Sequence, residues 1–206
     1  ATGTMTIVGE DLSCRLFVEN GNTIGFLTKT VGNTSRSIIS SAINTGEWHH
    51  VTGTFTSATG RNELYIDGEL VGFNAGTTAT AGANIEVTSG SNGYFEIGRR
   101  SSTLSNKEYF NGEIDEVRVF NKALTYIQIQ QMVFQEINDS GNVRGHLINK
   151  DIIDYSNSNN VLWSSLLAYY PMSDIRGNDL IDFSQYNRTF KLRNITAILV
   201  QTAPMP

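Results

Sequence analysis

The 206 residues include 15 Lys and Arg against 20 Asp and Glu, a formal net charge of -5, with 39% hydrophobic and 17% charged residues. Asn, Thr, Ser and 19 Gly fill the remainder. That composition excludes a coiled coil or long-helix protein, and the recurring Val, Ile, Phe and Tyr exclude a disordered chain. No basic cluster is present to neutralise a phosphate backbone, and no apolar run approaches the length of a membrane-spanning helix. Neither a nucleic-acid partner nor membrane insertion is therefore expected.

The chain opens with Ala1-Thr2-Gly3-Thr4, without the basic start and apolar stretch of a secretory signal. It reads either as cytoplasmic or as a piece of something larger. Cys14 is the single cysteine, which excludes an internal disulfide framework or a multi-cysteine metal site. Runs rich in β-branched and aromatic residues follow at Cys14 to Val18, Thr23 to Leu27, Trp48 to Phe55, Leu64 to Ile66, Tyr94 to Ile97 and Ile114 to Phe120. Each reads as a short strand. Between them, Asn20-Gly21-Asn22, Val31-Gly32-Asn33, Thr59-Gly60-Arg61-Asn62 and Gly90 to Gly93 supply turn chemistry. Asp67-Gly68, set between Leu64-Tyr65-Ile66 and Glu69-Leu70-Val71, predicts a type I′ hairpin, whose two central residues both need positive φ. Many strands with no βαβ alternation predict an antiparallel sandwich or barrel.

One helix is predicted. Thr125 and Gln128 have the spacing of a capping box, and the apolar pattern carries about three turns, ending near Glu136. Beyond it the texture changes. Asn138 to Asn142 and Asp154 to Asn160 are polar loops, Val161 to Tyr170 is an apolar run containing Trp163, and Ile195 to Val200 is strand-like. Thr202 to Pro206 holds two of the three prolines and reads as a linker. The expected division is a first domain over 1–136 and a β-rich appendage with a linker over 137–206.

Three segments in fixed order carry a resemblance: Gly46-Glu47-Trp48-His49-His50-Val51-Thr52-Gly53-Thr54-Phe55, Leu64 to Val71, and Phe110-Asn111-Gly112-Glu113-Ile114-Asp115-Glu116-Val117-Arg118-Val119-Phe120-Asn121-Lys122-Ala123-Leu124-Thr125. Together, over about residues 5–136, they resemble the laminin-G-like jelly rolls of the concanavalin A-like superfamily. The resemblance implies an all-β, antiparallel jelly-roll β-sandwich with one short helix and a small β-rich C-terminal appendage. It also implies use in adhesion and glycan binding, often with a structural calcium ion. Members usually carry further strands before the point where this chain starts, so the N-terminus is expected to be clipped within a domain. Val143-Arg144-Gly145, Ala168 to Ser173, Ile181 to Ser184 and Gln201 to Pro204 resemble segments that follow such jelly rolls in giant adhesins of gliding Bacteroidota. Those adhesins are exported by the type IX system, which implies an extracellular, cell-surface location. The partners implied are a polysaccharide or surface glycan, other domains of the same chain, and the type IX secretion machinery.

Glucanases on the same sandwich use Glu-x-Asp-x-Glu or Glu-x-Asp-x-x-Glu on one strand. Glu113-Ile114-Asp115 matches the first part, but Val117 or Arg118 stands where the acid/base should be, and neither exchanges a proton near neutral pH. No catalytic residue is assigned. Asp115, entering a strand expected to be buried, is the candidate calcium ligand, the alternative being a salt bridge to Arg99 or Arg100. Glu116 is expected to pair with Arg118 or a neighbouring strand. His49 and His50 point to opposite faces and read as structural, and Asp67 as a turn residue. Tyr94, Arg99, Tyr109 and Asn111, with Phe73, are the candidate sugar contacts. The leading reading is a non-catalytic adhesion module; the alternatives are a purely structural spacer and a glycoside hydrolase.

Overall fold

The computed structural model of the chain describes residues 3–10, 13–32, 34–77, 80–86, 94–100, 107–133, 135–137, 147–148 and 164–192, the side chains of Thr34, Leu147 and Ile148 excepted. It divides into two compact units, Ala1–Glu113 and Ile114–Pro206.

The first unit contains β1 (Met5–Glu10), β2 (Cys14–Glu19), β3 (Thr23–Thr30), β4 (Thr34–Ala42), β5 (Val51–Thr56), β6 (Arg61–Ile66), β7 (Glu69–Asn74) and β8 (Phe95–Ile97). They form a five-stranded sheet in the order β4-β3-β2-β1-β8 and a three-stranded sheet, β5-β6-β7. Every neighbouring pair is antiparallel. The side-chain period of two builds the core between the sheets. Cys14, Leu16 and Val18 lie opposite Thr28, Phe26 and Ile24, and Ile38 of β4 with Leu64 and Ile66 of β6 complete the buried cluster. Each fully buried aliphatic side chain there contributes about 1.5–3 kcal/mol. The sheets approach closely at Gly53, where a Cβ would lie 2.3 Å from the Phe26 ring.

Asp67 and Gly68 have φ of 52° and 83°, the two left-handed residues the β6–β7 hairpin needs. Gly21 and Asn22 do the same between β2 and β3, with φ of 80° and 61°. The predicted runs at Cys14, Thr23, Leu64 and Tyr94 fall on β2, β3, β6 and β8, whereas the run from Trp48 becomes a strand only at Val51. β1 and β4 were not among the predicted runs. In β4, the buried Ser40 hydroxyl accepts from the Ile24 amide at 2.9 Å and donates to the Ser41 carbonyl at 2.6 Å, so a polar side chain sits inside with its bonding complete.

The second unit contains β9 (Val117–Phe120), α1 (Tyr126–Met132), β10 (Glu136–Ile137), β11 (Leu147–Ile148), β12 (Leu166–Tyr170), β13 (Ile175–Arg176), β14 (Asp179–Leu180) and β15 (Phe190–Lys191). β9 pairs with β12, β10 with β11, and β13-β14-β15 form a small sheet. The β9–β12 pairing lies wholly within this second unit, which begins at Ile114. Ile137, Leu166 and Tyr169 form its core, with Phe120 and Phe183 against them. Asp182, buried, accepts from the amides of Tyr169, Ser184 and Arg188 at 2.9, 2.8 and 2.6 Å and so fixes the chain after β14.

The capping box is present: the Gln128 amide donates to Thr125 Oγ1 at 3.3 Å and the Thr125 amide to Gln128 Oε1 at 3.0 Å. The helix stops at Met132 instead of Glu136. Val133 turns extended, at φ -61° and ψ 119°, and the Met132 carbonyl accepts from the Gln135 amide at 3.2 Å. The Arg118 guanidinium donates to the Met132 carbonyl at 3.2 Å and to the Gln135 carbonyl; Ile137 then enters β10 and the core. Trp163, the strand expected at Ile195 to Val200 and the linker-like Thr202 to Pro206 lie outside the described residues.

Candidate functional site

The face of the five-stranded sheet turned away from the core carries a polar network. Gly9 lies opposite Arg15 on β2 and Glu96 on β8, and residues directly opposite share a face. Arg15 alternates with the core residues Cys14 and Leu16, so Arg15 and Glu96 both point outward. A Cβ at Gly9 would lie 2.6 Å from that of Arg15; its absence lets the arginine cross the strand.

Segment 107–110 joins this face. Its backbone is fixed by Thr6 N to Glu108 O, Arg100 N to Lys107 O and Phe110 N to Gly98 O, each 2.8 Å. Glu108, at φ 47°, turns its carboxylate inward. It accepts from Arg100 Nη1 at 2.6 Å, from Thr6 Oγ1 at 3.1 Å and from Arg15. Burial pushes the Glu108 carboxyl up, but the guanidinium groups of Arg100 and Arg15 outweigh it and hold the group below the usual carboxylate range. Sequence reasoning missed Glu108, because its partners lie far away in the chain and no local pattern announces them.

On this base sits the cluster that includes three of the predicted ligand residues. Arg99 is ion-paired with Glu96, and that carboxylate raises its pKa above the ordinary value, with the Tyr109 phenol as a further hydrogen-bonding neighbour. Tyr109 is 57% exposed and Tyr94 62%. Tyr94 stands two residues before Glu96, the spacing that puts side chains on one side of an extended chain. An exposed phenol ring thus stands beside a guanidinium–carboxylate pair, with a second exposed phenol two residues before its glutamate, an arrangement able to stack on an apolar face and to exchange hydrogen bonds with hydroxyls. Asn111 is exposed two residues beyond Tyr109. Phe73 lies on the other sheet, on β7, with one ring face covered by Arg61 at 4.0 Å.

Arg99 and Arg100 are paired with Glu96 and Glu108, and Asp115 Oδ1 accepts from the Glu116 amide at 2.9 Å. Among the described residues no group of three or more His, Cys, Asp or Glu could hold a metal ion. β9 begins only at Val117, so Glu113 and Asp115 precede the strand whose alternation was expected to set them on one face; Glu116, at φ 53°, stands just before it. Glu116 pairs with Arg118 and accepts from the Tyr169 hydroxyl at 3.0 Å. Burial pushes its carboxyl up, beyond what Arg118 offsets. These contacts tie β9 to β12 and to the helix end. Glu113 itself is exposed.

His49 and His50 serve the β6–β7 hairpin. Asp67 accepts from the His50 amide and meets His49 Nδ1, both at 2.8 Å, while its own amide donates to the His50 carbonyl at 2.8 Å. The turn aspartate is therefore also the clip that holds the approach to β5.

A family model described as Concanavalin A-like lectin/glucanases superfamily matches residues 1–130. Among solved structures, the chain is similar to a "putative carbohydrate binding protein" from Bacteroides ovatus ATCC 8483, with 17% identity and a TM-score of 0.62 over 92% of this chain. The chain spans 50% of that protein's length. It is also similar to a heptameric SAP-like pentraxin from Limulus polyphemus, at 19% identity and a TM-score of 0.46, covering 68% of this chain and 65% of that one. An S-layer domain-containing protein from Clostridium thermocellum ATCC 27405 aligns at 26% identity and a TM-score of 0.35, covering 65% of this chain and 64% of that one. No curated protein matches the chain.

Proposed function

The chain belongs to the concanavalin A-like lectin/glucanases superfamily, and from that premise we propose that it is a non-catalytic carbohydrate-binding module of a secreted bacterial cell-surface adhesin. The observation that carries the proposal is the exposed Tyr109 beside the Arg99–Glu96 pair, with Tyr94 on the same strand end as Glu96. A phenol ring offers its face to the C–H side of a pyranose, and the ion pair offers donors and acceptors to its hydroxyls. The fold it shares with a protein described as carbohydrate-binding lends support.

Hydrolysis with retention needs two carboxyl groups about 5–5.5 Å apart across the sugar bond. The start of β9 only at Val117, beyond both carboxylates, and the use of Asp115 Oδ1 by a backbone amide argue against that role for the Glu113–Asp115 segment. The adhesin context, with other domains of a long repetitive chain and the type IX machinery as partners at the cell surface, rests on the resemblance of the segments after residue 142.

A glycan array followed by calorimetric titration tests the binding claim. Tyr109→Ala is expected to weaken the best ligand about fivefold, the equivalent of an aromatic contact worth about 1 kcal/mol. Silence across the array from a folded sample would leave the spacer reading, and turnover of a β-glucan abolished by Glu113→Gln would leave the hydrolase.

A further inference from the structure

We infer that the sugar taken at the Tyr94–Tyr109 face is an uncharged oligosaccharide, and not a uronate or sulfated chain; this rests on the carbohydrate-binding reading above. Capture of a sugar carboxylate or sulfate needs a guanidinium or ammonium whose charge is not already answered, ideally in bidentate geometry. In the first unit, the two arginines beside exposed candidate rings are both committed to carboxylates. Arg99, next to Tyr109, is paired with Glu96, and Arg61, over Phe73, meets Glu63 Oε1 at 2.7 Å. Arg100 and Arg15, deeper on the same face as Glu96, share Glu108. The pairs beside the exposed rings, Arg99–Glu96 and Arg61–Glu63, thus present no net charge, while the one surplus positive charge of the Arg15–Arg100–Glu108 group stays in the buried network beneath.

Glu96 is the counter-charge that decides the point: with it in place, Arg99 has no unanswered charge to offer an acidic sugar. The chain as a whole adds to this selection: at a net charge of -5 it repels polyanions at long range.

The test uses the whole chain and two sets of ligands, neutral (laminarin, galactomannan and xylan oligosaccharides) and anionic (alginate, polygalacturonate, heparin), each titrated at about 0.02 and about 0.3 M NaCl, where screening differs strongly. The expected result is binding within the neutral set, with affinity changing less than about twofold between the two salts. Glu96→Gln, which removes the counter-charge from Arg99, is expected to bring measurable binding of an anionic chain that the parent ignores. A purely structural glutamate would not produce that change of preference. Binding by the parent chain to an anionic ligand, lost about tenfold or more at high salt, would overturn the inference while leaving the carbohydrate reading standing. Binding to neither set would overturn both. If Glu96→Gln does not fold, the parent chain's titrations alone decide the matter.

Discussion

Substituting Glu108 by Gln removes one charge and almost no volume from the network under the candidate site. Glu108 is 9% exposed, and the side chains of Arg15 and Arg100 are 11% and 17% exposed. Breaking a buried pair from one side costs about 3–5 kcal/mol, because the opposing charge stays behind; with two partly solvated arginines, about 3 kcal/mol is expected here. At a urea slope of about 2 kcal/mol per M, the midpoint of the first unit falls by about 1.5 M. Hydrogen exchange of the amides in β1, β2 and β3 follows that unit directly. The pH dependence is fixed in sign. The folded-state pKa of Glu108 lies below its unfolded value, so the network stabilises fully above the unfolded value, about 4.3. That contribution is lost as pH falls through the folded value. The gap between the parent and Glu108→Gln is therefore wide at pH 7 and closes in acid. A loss under about 1 kcal/mol at pH 7, or a gap that persists unchanged at low pH, would refute the reasoning.

Asp67→Ala loses the acceptor for both the His49 ring and the His50 amide and places a Cβ-bearing residue without a local hydrogen-bonding side chain at φ 52°; about 2 kcal/mol is expected by urea unfolding, and well under half of that for Asp67→Asn, which tolerates the left-handed region. Gly53→Ala drives a Cβ into the Phe26 ring and should cost about 1–3 kcal/mol, partly recovered when Phe26→Leu is added. A chelator tests the calcium implied at Asp115: a drop in melting temperature that Asp115→Ala removes would assign the ion to that carboxylate, and a melting temperature that ignores the chelator would take the ion away from it.

What the sequence revealed was whatever is decided locally. Asp67-Gly68 and the Thr125–Gln128 pair were legible because a two-residue turn and a capping box are set by adjacent side chains and φ preferences. The alternation of Cys14, Leu16 and Val18 marked β2 for the same reason. β4 was hidden by its serines, since the inward Ser40 is bonded to β3 and does not look like a core residue. β1 was hidden by the register shift between Thr6 and Val8 and by Thr6 itself, buried on the outer-face network. The helix ends at an extended Val133, with Arg118 reaching the Met132 carbonyl from β9, and no periodicity encodes either. In the site, the exposure of Tyr94 and Tyr109 followed from their place in or near loops, whereas the pairing of Arg99 with Glu96, only three residues away, was not read from the sequence.

The most direct measurement is an NMR titration of the chain with the best-binding neutral oligosaccharide. The account predicts that resonances of Tyr94, Glu96, Arg99 and Tyr109 move first and together, with those of the Leu64 core unmoved. A saturable response centred on any other surface, with these four silent, would contradict it.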